Sequence, residues 1–357
     1  MAKWSMASVS FRMAGFGNWQ NLLPDEGARR LYASMYPKGV PLKEIDASLR
    51  PMLVSWQRAN IVQVDDQSVV PYAPIMTDGD LELLAPWFQK VTGSMCAAVS
   101  ERLPDYMRLA ETISCRGSSP GHNLGNLLTV LICAQTLDLW AFALLRQELL
   151  GPHTPRGESG RFFFWGYAFA GGPDRILGVT TYSGRIMQLS VIRSHGLDRG
   201  PMPALLRQGA VLRYLDSLSL GGKTGEGATS GTGLASPEAG EILSRLRSVG
   251  IVEDSAPPKL AVPVFTMSDM EMIDELCHPV SSRAIAAIAG TLAKLRQMIE
   301  QCSFAQCSFP DVLCMLFHLA YSYAIDGLVA AGTVPEFPKK AGGEWGCWVH
   351  TISSSFF

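Results

Sequence analysis

The sequence predicts a predominantly helical α+β fold built on an internally duplicated unit. Three observations carry that expectation. Two long apolar runs have helical length, LLTVLICAQTLDLWAFALLRQELLG at 127–151 and FPDVLCMLFHLAYSYAIDGLVAAG at 309–332. A pattern of helix, short β-branched strand, turn, strand and helix occurs twice. Each copy then reaches an aromatic strand signal containing Trp-Gly, at Trp165-Gly166 and at Trp345-Gly346.

Along the chain, MAKWSMASVSFRMAGF lacks a continuous apolar run and is not expected to be a signal peptide. Its part from Trp4 to Phe16 is apolar enough to act as an arm docking on a neighbour, as is the tail from Val349 to Phe357. Helices are expected at about 25–35 and 41–48. Met52, Leu53, Trp56 and Ala59 then fall at i, i+1, i+4 and i+7, one apolar helical stripe, and Ile242, Leu243, Leu246 and Val249 repeat it. Asn60 and Gly250 stand where a left-handed C-cap belongs. Ile61-Val62 and Ile251-Val252 open short strands, and Asp65-Asp66-Gln67-Ser68 and Ser255-Ala256-Pro257-Pro258 mark the turns. The second strands end in Pro-Ile and Pro-Val, and Thr77 with Asp78, or Ser268 with Asp269, supply the next N-caps. Ile61 aligns with Ile251, 190 residues on, and Pro74 with Pro263, 189 residues on.

This skeleton resembles a pair of winged-helix modules in tandem, each covering about a fifth of the chain. The expected organisation is a first unit, 1–200, and a second, 201–357. The first comprises a winged-helix-like part at 25–76, a helical part at 80–151 and a β-meander at 162–193. The meander is read as three antiparallel strands, FFFWGYAF, RILGVTTY and RIMQLSVI, separated by turn signals at 170–174 and Ser183-Gly184. The second unit comprises a Gly-rich linker at 221–234, a winged-helix-like part at 236–266, a helical part at 269–332 and an aromatic segment at 343–357.

The chain has 357 residues, 30 Lys and Arg against 32 Asp and Glu, and only 17% charged residues where about 25% is usual. A wholly basic nucleic-acid coat and an acidic tail protein are excluded. The winged-helix resemblance implies nucleic-acid contacts through Arg50, Gln57 and Arg58 on the first recognition helix, Arg245 and Arg247 on the second, and Lys259 on the second wing. Charge does not support that use. Residues 25–66 hold six basic and six acidic side chains, residues 237–269 three and five, and Asp65-Asp66 at a wing tip would face phosphate badly.

Other chemistry is sparse. The GKT at 222–224 lacks the first glycine of a phosphate loop, since that position is Ser217. The six histidines are scattered, the eight cysteines form no CxxC pair, and no metal or other cofactor is expected. Ser183 lacks the first glycine of GxSxG, and Cys115 beside Arg116 needs a distant histidine such as His122. His318 and Asp326, two helical turns apart in an apolar helix, and Asp138 in the other are where an active site would be sought. Buried polar groups need partners, and a helix-to-helix hydrogen bond also explains them. The run 127–145 contains Gln135 and Asp138, so a buried helix rather than a membrane span is expected, in a reduced, cytoplasmic or intracellular setting or an assembled particle.

The sparse charge, a mean hydropathy of +0.14 and generous Met and Trp point to surface covered by other copies of the chain. The leading expectation is therefore a non-enzymatic, self-assembling structural subunit of coat or capsid type. The alternatives are a tandem winged-helix regulator binding DNA or a protein, and an enzyme or small-molecule binder with a pocket between the helical units.

Overall fold

The computed structural model describes residues 9–115, 123–174, 176–194, 205–219, 236–337, 339–340 and 343–351. The protein is 57% helical and 18% strand, a predominantly helical α+β fold. It divides into two compact units, and neither is a continuous stretch of chain. The first comprises Met1–Thr92, Leu144–Pro173 and Ala286–Ala320; the second comprises Gly93–Ala143, Asp174–Ile285 and Tyr321–Phe357. The boundary expected at residue 200 therefore falls inside the second unit.

In the first unit, α1 (Glu26–Ser34) starts at Asp25, whose carboxylate accepts the Ala28 N–H at 2.8 Å. Strand β2 (Val40–Pro41) follows, then two 3₁₀ turns and α2 (Arg50–Arg58). Strands β3 (Val62–Val64) and β4 (Ser68–Pro71) form a hairpin, and β2 adds to it in the order β2-β4-β3. The apolar stripe of α2 is buried as its spacing requires: Leu53, Trp56 and Ala59 face the core with Tyr32, Ile61 and Val69. Trp56 donates its indole N–H to Leu22 at 2.6 Å, and the Tyr32 hydroxyl lies 2.9 Å from the Ile61 carbonyl.

Asn60 has φ +55° and Gly250 φ +71°, the left-handed caps that their sequence positions called for. The hairpin ends earlier than expected, at Pro71. Beyond it β5 (Ile75–Thr77) leaves to pair in parallel with β6 (Gly160–Ala168). Two prolines without N–H groups, Pro71 and Pro74, separate the two pairings.

Strand β1 (Ser10–Gly17) pairs antiparallel with β6 along its whole length, giving the order β1-β6-β5. The segment expected as an N-terminal arm is thus in this sheet from Ser10 onward, with Phe11 in the core; residues 1–8 lie outside the described set. Nor does β6 open a meander. Its residues from Phe162 to Tyr167 are all buried, so both faces are covered and it is the central strand of this sheet.

In the second unit, β7 (Leu177–Ser183) and β8 (Met187–Ser194) make the expected hairpin, but their third partner is β11 (Gly343–Thr351). β11 also pairs with β9 (Val264–Phe265) in parallel and with β10 (Lys339–Lys340). The expected C-terminal arm is therefore an interior strand up to Thr351. The core beneath contains Leu189 and Val191, α6 (Gly209–Ser219), α7 (Ser236–Ser248), and Ile251 and Val262. The second hairpin is reduced to one bridge, Val252 to Leu260. The linker 221–234 lies outside the described residues, apart from its neighbour Ser236 onward.

The longer helices carry segments of both units. These are α3 (Asp78–Glu101), α5 (Leu124–Leu150), α8 (Met267–Ala289) and α10 (Phe309–Ala330), with the shorter α4 (Leu103–Thr112) and α9 (Leu292–Ile299) each within one. Helix α3 opens on Thr77 and α8 on Thr266, whose hydroxyls accept the N–H groups of Asp80 and Asp269, rather than on Ser268. Helices α5 and α10 are long and apolar enough to cross a membrane, and 78% of each apolar window is buried inside the protein.

Candidate functional site

The exposed cations of the first hairpin module converge on one groove. Lys38, Lys43 and Arg50 line it together with the backbone of 39–42 and the hairpin tip Asp66, Gln67 and Ser68, and it encloses about 710 Å³. Its walls follow from the local pairing. Val40 lies opposite Val69, and Pro41 opposite Ser68, so the residues flanking β2 stand beside the hairpin tip. Leu42 donates its N–H to Gln67 at 2.8 Å, fixing the segment that carries Lys43. Gly39 makes the close approach possible: it has φ +78°, and a Cβ there would lie 2.6 Å from the Val69 carbonyl oxygen.

Arg50 is the first residue of α2, while Gln57 and Arg58 lie exposed in its last turn. Lys38, Lys43, Arg50 and Arg58 have no ion-pair partner among the described residues. The acids of the same stretch are held by the chain itself. Glu26 pairs with Arg30 at 3.1 Å, and Asp25 caps α1. Asp46 accepts the Ser48 hydroxyl and N–H, which lower its pKa. Asp65 accepts the N–H groups of Gln67 and Ser68 and the Ser68 hydroxyl, which lower its pKa too. Six bases against six acids in the sequence thus become a sorted surface.

The second module differs. Arg245 reaches Glu241 at 3.9 Å. Arg247 is drawn into the hairpin, donating to the Glu253 carbonyl at 3.1 Å and the Ser255 carbonyl at 2.8 Å, with Asp254 at 3.5 Å. It splints the hairpin and does not project from it. Lys259 is exposed, and its carbonyl accepts the Glu253 N–H. Glu238 and Glu241 occupy the exposed face of α7.

The three residues marked for catalysis are divided between the units, His318 in the first and Asp138 and Asp326 in the second. His318 is buried, its Nδ1 2.8 Å from the Cys314 carbonyl and its ring 4.8 Å from that of Trp165. Burial pushes its pKa down to about 4. On the same face of β6, the Trp165 indole N–H and the Tyr167 hydroxyl are buried without a hydrogen-bond partner. Asp138 accepts the Val179 N–H at 2.9 Å and the Tyr321 hydroxyl at 3.1 Å; burial pushes its carboxyl up to about 7 against the pull of those two donors. Asp326 is half-buried.

All eight cysteines are thiols outside any disulfide. Burial raises Cys115 to about 11 and both Cys277 and Cys302 to about 12, so none of these three supplies a thiolate near neutral pH. His122 and the GKT segment lie outside the described residues. Ser183 is exposed at the end of β7. Among the described residues no three His, Cys, Asp or Glu side chains are grouped to hold a metal ion.

Lys38 and Lys43 were counted in the sequence but not singled out. The signal was their position on either side of a Val-Pro pair, which reads as a loop until β2 is seen to join the hairpin. Compared with known proteins, the chain matches no family model, no curated protein and no solved structure.

Proposed function

We propose that the protein is a structural subunit that assembles with further copies of itself. The observation that carries this is strand β1: it is paired with β6 over eight residues on one side, and on the other it has no strand partner among the described residues. Phe16 near its end is 78% exposed. A long, nearly uncharged edge is a template for strand pairing with another chain, and folded proteins ordinarily blunt such edges with charge or proline. The low charge fraction of the whole sequence supports the same reading. Multi-angle light scattering over a range of concentrations tests it. Species larger than the 38.7 kDa chain are expected, and Phe16→Asp is expected to shift them toward monomer. A monomer at every concentration overturns the proposal.

A second reading, contact with a nucleic-acid backbone, is favoured by the groove lined by Lys38, Lys43 and Arg50. Three unpaired cations around one depression suit phosphates, and each contact released should reduce the salt slope of binding by about 0.7–0.9. The expected result is salt-sensitive binding of a fluorescent oligonucleotide by the full chain, weakened by Lys38→Gln, Lys43→Gln and Arg50→Gln together and unaffected by Arg245→Gln. Absence of binding at low salt removes this reading and leaves the first intact.

A further inference from the structure

Each compact unit contains a carboxylate held by a serine from the other half of the chain. In the first unit, Asp80 Oδ2 accepts the Thr77 N–H at 3.0 Å while Thr77 Oγ1 accepts the Asp80 N–H at 3.1 Å, a reciprocal cap on α3. The same carboxylate then accepts the N–H of Ser303 at 2.7 Å and its hydroxyl at 2.6 Å. In the second unit, Asp269 accepts the Thr266 N–H at 2.8 Å and Thr266 Oγ1 accepts the Asp269 N–H at 3.1 Å. Asp269 also accepts the Ser114 N–H at 3.0 Å and its hydroxyl at 2.5 Å.

The spacing is constant. Thr77 and Thr266, Asp80 and Asp269, and Ser114 and Ser303 are each 189 residues apart, as are the starts of α4 at Leu103 and α9 at Leu292. Yet Asp80 takes Ser303, not Ser114, and Asp269 takes Ser114, not Ser303. Each serine follows a short helix, α9 or α4, and is followed by a buried residue, Phe304 or Cys115. The hairpin module of one half is thus closed by the helix-and-serine segment of the other.

We propose that the chain is a fused dimer of one module whose halves exchange their helical segments, with Asp80 and Asp269 as the sockets that receive the other half. The chemistry of the socket explains why the exchange is needed. Asp80 and Asp269 are 2% and 1% exposed. A carboxylate withdrawn from water must be supplied with donors, and half of the oxygen contacts here come from the incoming serine. Burial alone would raise the Asp269 pKa, but the Ser114 and Thr266 donors hold it lowered. A half-chain without its partner would be left with a desolvated, half-satisfied anion and an uncovered apolar seat for Phe304 or Cys115.

The test uses the full chain with a protease site placed in the Gly-rich segment 221–233. After cleavage the two fragments are expected to co-elute at the size of the intact protein and to unfold in one transition. Combining Ser303→Ala with Ser114→Ala in the cleaved protein should raise the dissociation constant of the fragments by about tenfold or more, since each change removes a donor to a buried charge. Ser303→Thr with Ser114→Thr, which keeps the hydroxyls, should hold them nearer to the parent. Fragments that separate while each retains the helical circular dichroism of the intact chain overturn the proposal. So does a Ser-to-Ala pair that dissociates no more readily than the parent.

Discussion

Arg156 sits in a loop, GPHTPRGESGR, with nothing in its surroundings to mark it, yet it ties together the first unit. Its guanidinium donates to the carbonyls of Ala59 at 3.0 Å, Asn60 at 2.7 Å and Phe162 at 3.1 Å, and to both oxygens of Asp311 at 2.6 and 2.7 Å. It thereby satisfies the carbonyls left open where α2 ends. Both side chains of the pair are 0% exposed. Removing one partner leaves a buried charge alone, so Arg156→Met should cost about 3–5 kcal/mol in urea unfolding, and adding Asp311→Leu should recover much of that. Asp138 and His318, by contrast, were conspicuous in the sequence as polar residues inside apolar helices. The Tyr321–Asp138 bond is the helix-to-helix hydrogen bond such a residue calls for, whereas the Val179 N–H could not be read because strand order is not written locally. The two residues oppose each other in pH. Asp138 has a folded pKa of about 7 against 3.8, so the native state holds the extra proton and stability falls as pH rises from about 4 to 7. His318 has a folded pKa of about 4 against 6.5, so the unfolded state takes the proton and stability falls as pH drops through that window. Asp138→Asn should remove a slope of about 1.4 kcal/mol per pH unit of one sign, and His318→Gln the other, in denaturant midpoints measured from pH 4 to 7.

At the level of elements, helices and caps were legible where a local rule decides them. The apolar stripes of α2 and α7, the left-handed residues Asn60 and Gly250, and the β7–β8 turn at Ser183-Gly184 all follow from spacing and backbone freedom. What failed was partner choice. FFFWGYAF was taken as the first strand of a meander because it precedes two more strands, but four consecutive aromatics do not alternate. Such a run marks a strand covered on both faces, and β6 is that strand. Strand β2 was missed for the opposite reason: two residues carry no period at all, and only pairing with β4 defines them. Its position depends on Gly39. With φ +78° and a Cβ blocked by the Val69 carbonyl, Gly39→Ala should destabilise the protein by about 1–3 kcal/mol in urea and weaken any ligand of the Lys38–Lys43–Arg50 groove.

For the whole molecule, the sequence division at residue 200 and the interleaved units describe the same repeat at different levels. Sequence comparison aligns copies; it does not say which copy's helices close which hairpin. That choice rests on side-chain contacts such as Asp80 with Ser303, between residues more than two hundred positions apart, for which no local signal exists. The charge count had the same limitation, since it could not show that Asp25, Asp46 and Asp65 are engaged by their own turns.

The crosswise construction also governs how the protein can be made. Because the first unit includes Ala286–Ala320, it cannot close until nine-tenths of the chain has left the ribosome, although its opening strand is the first segment synthesised. Until then β1, α1 and the hairpin wait with their apolar faces uncovered. Ribosome-bound chains halted at residue 250 should be digested by protease as open polypeptide, whereas chains halted beyond 357 with a spacer should resist it. A nascent chain of this kind depends on protection during its synthesis more than its length alone would suggest, and on completing the message before either unit gains stability.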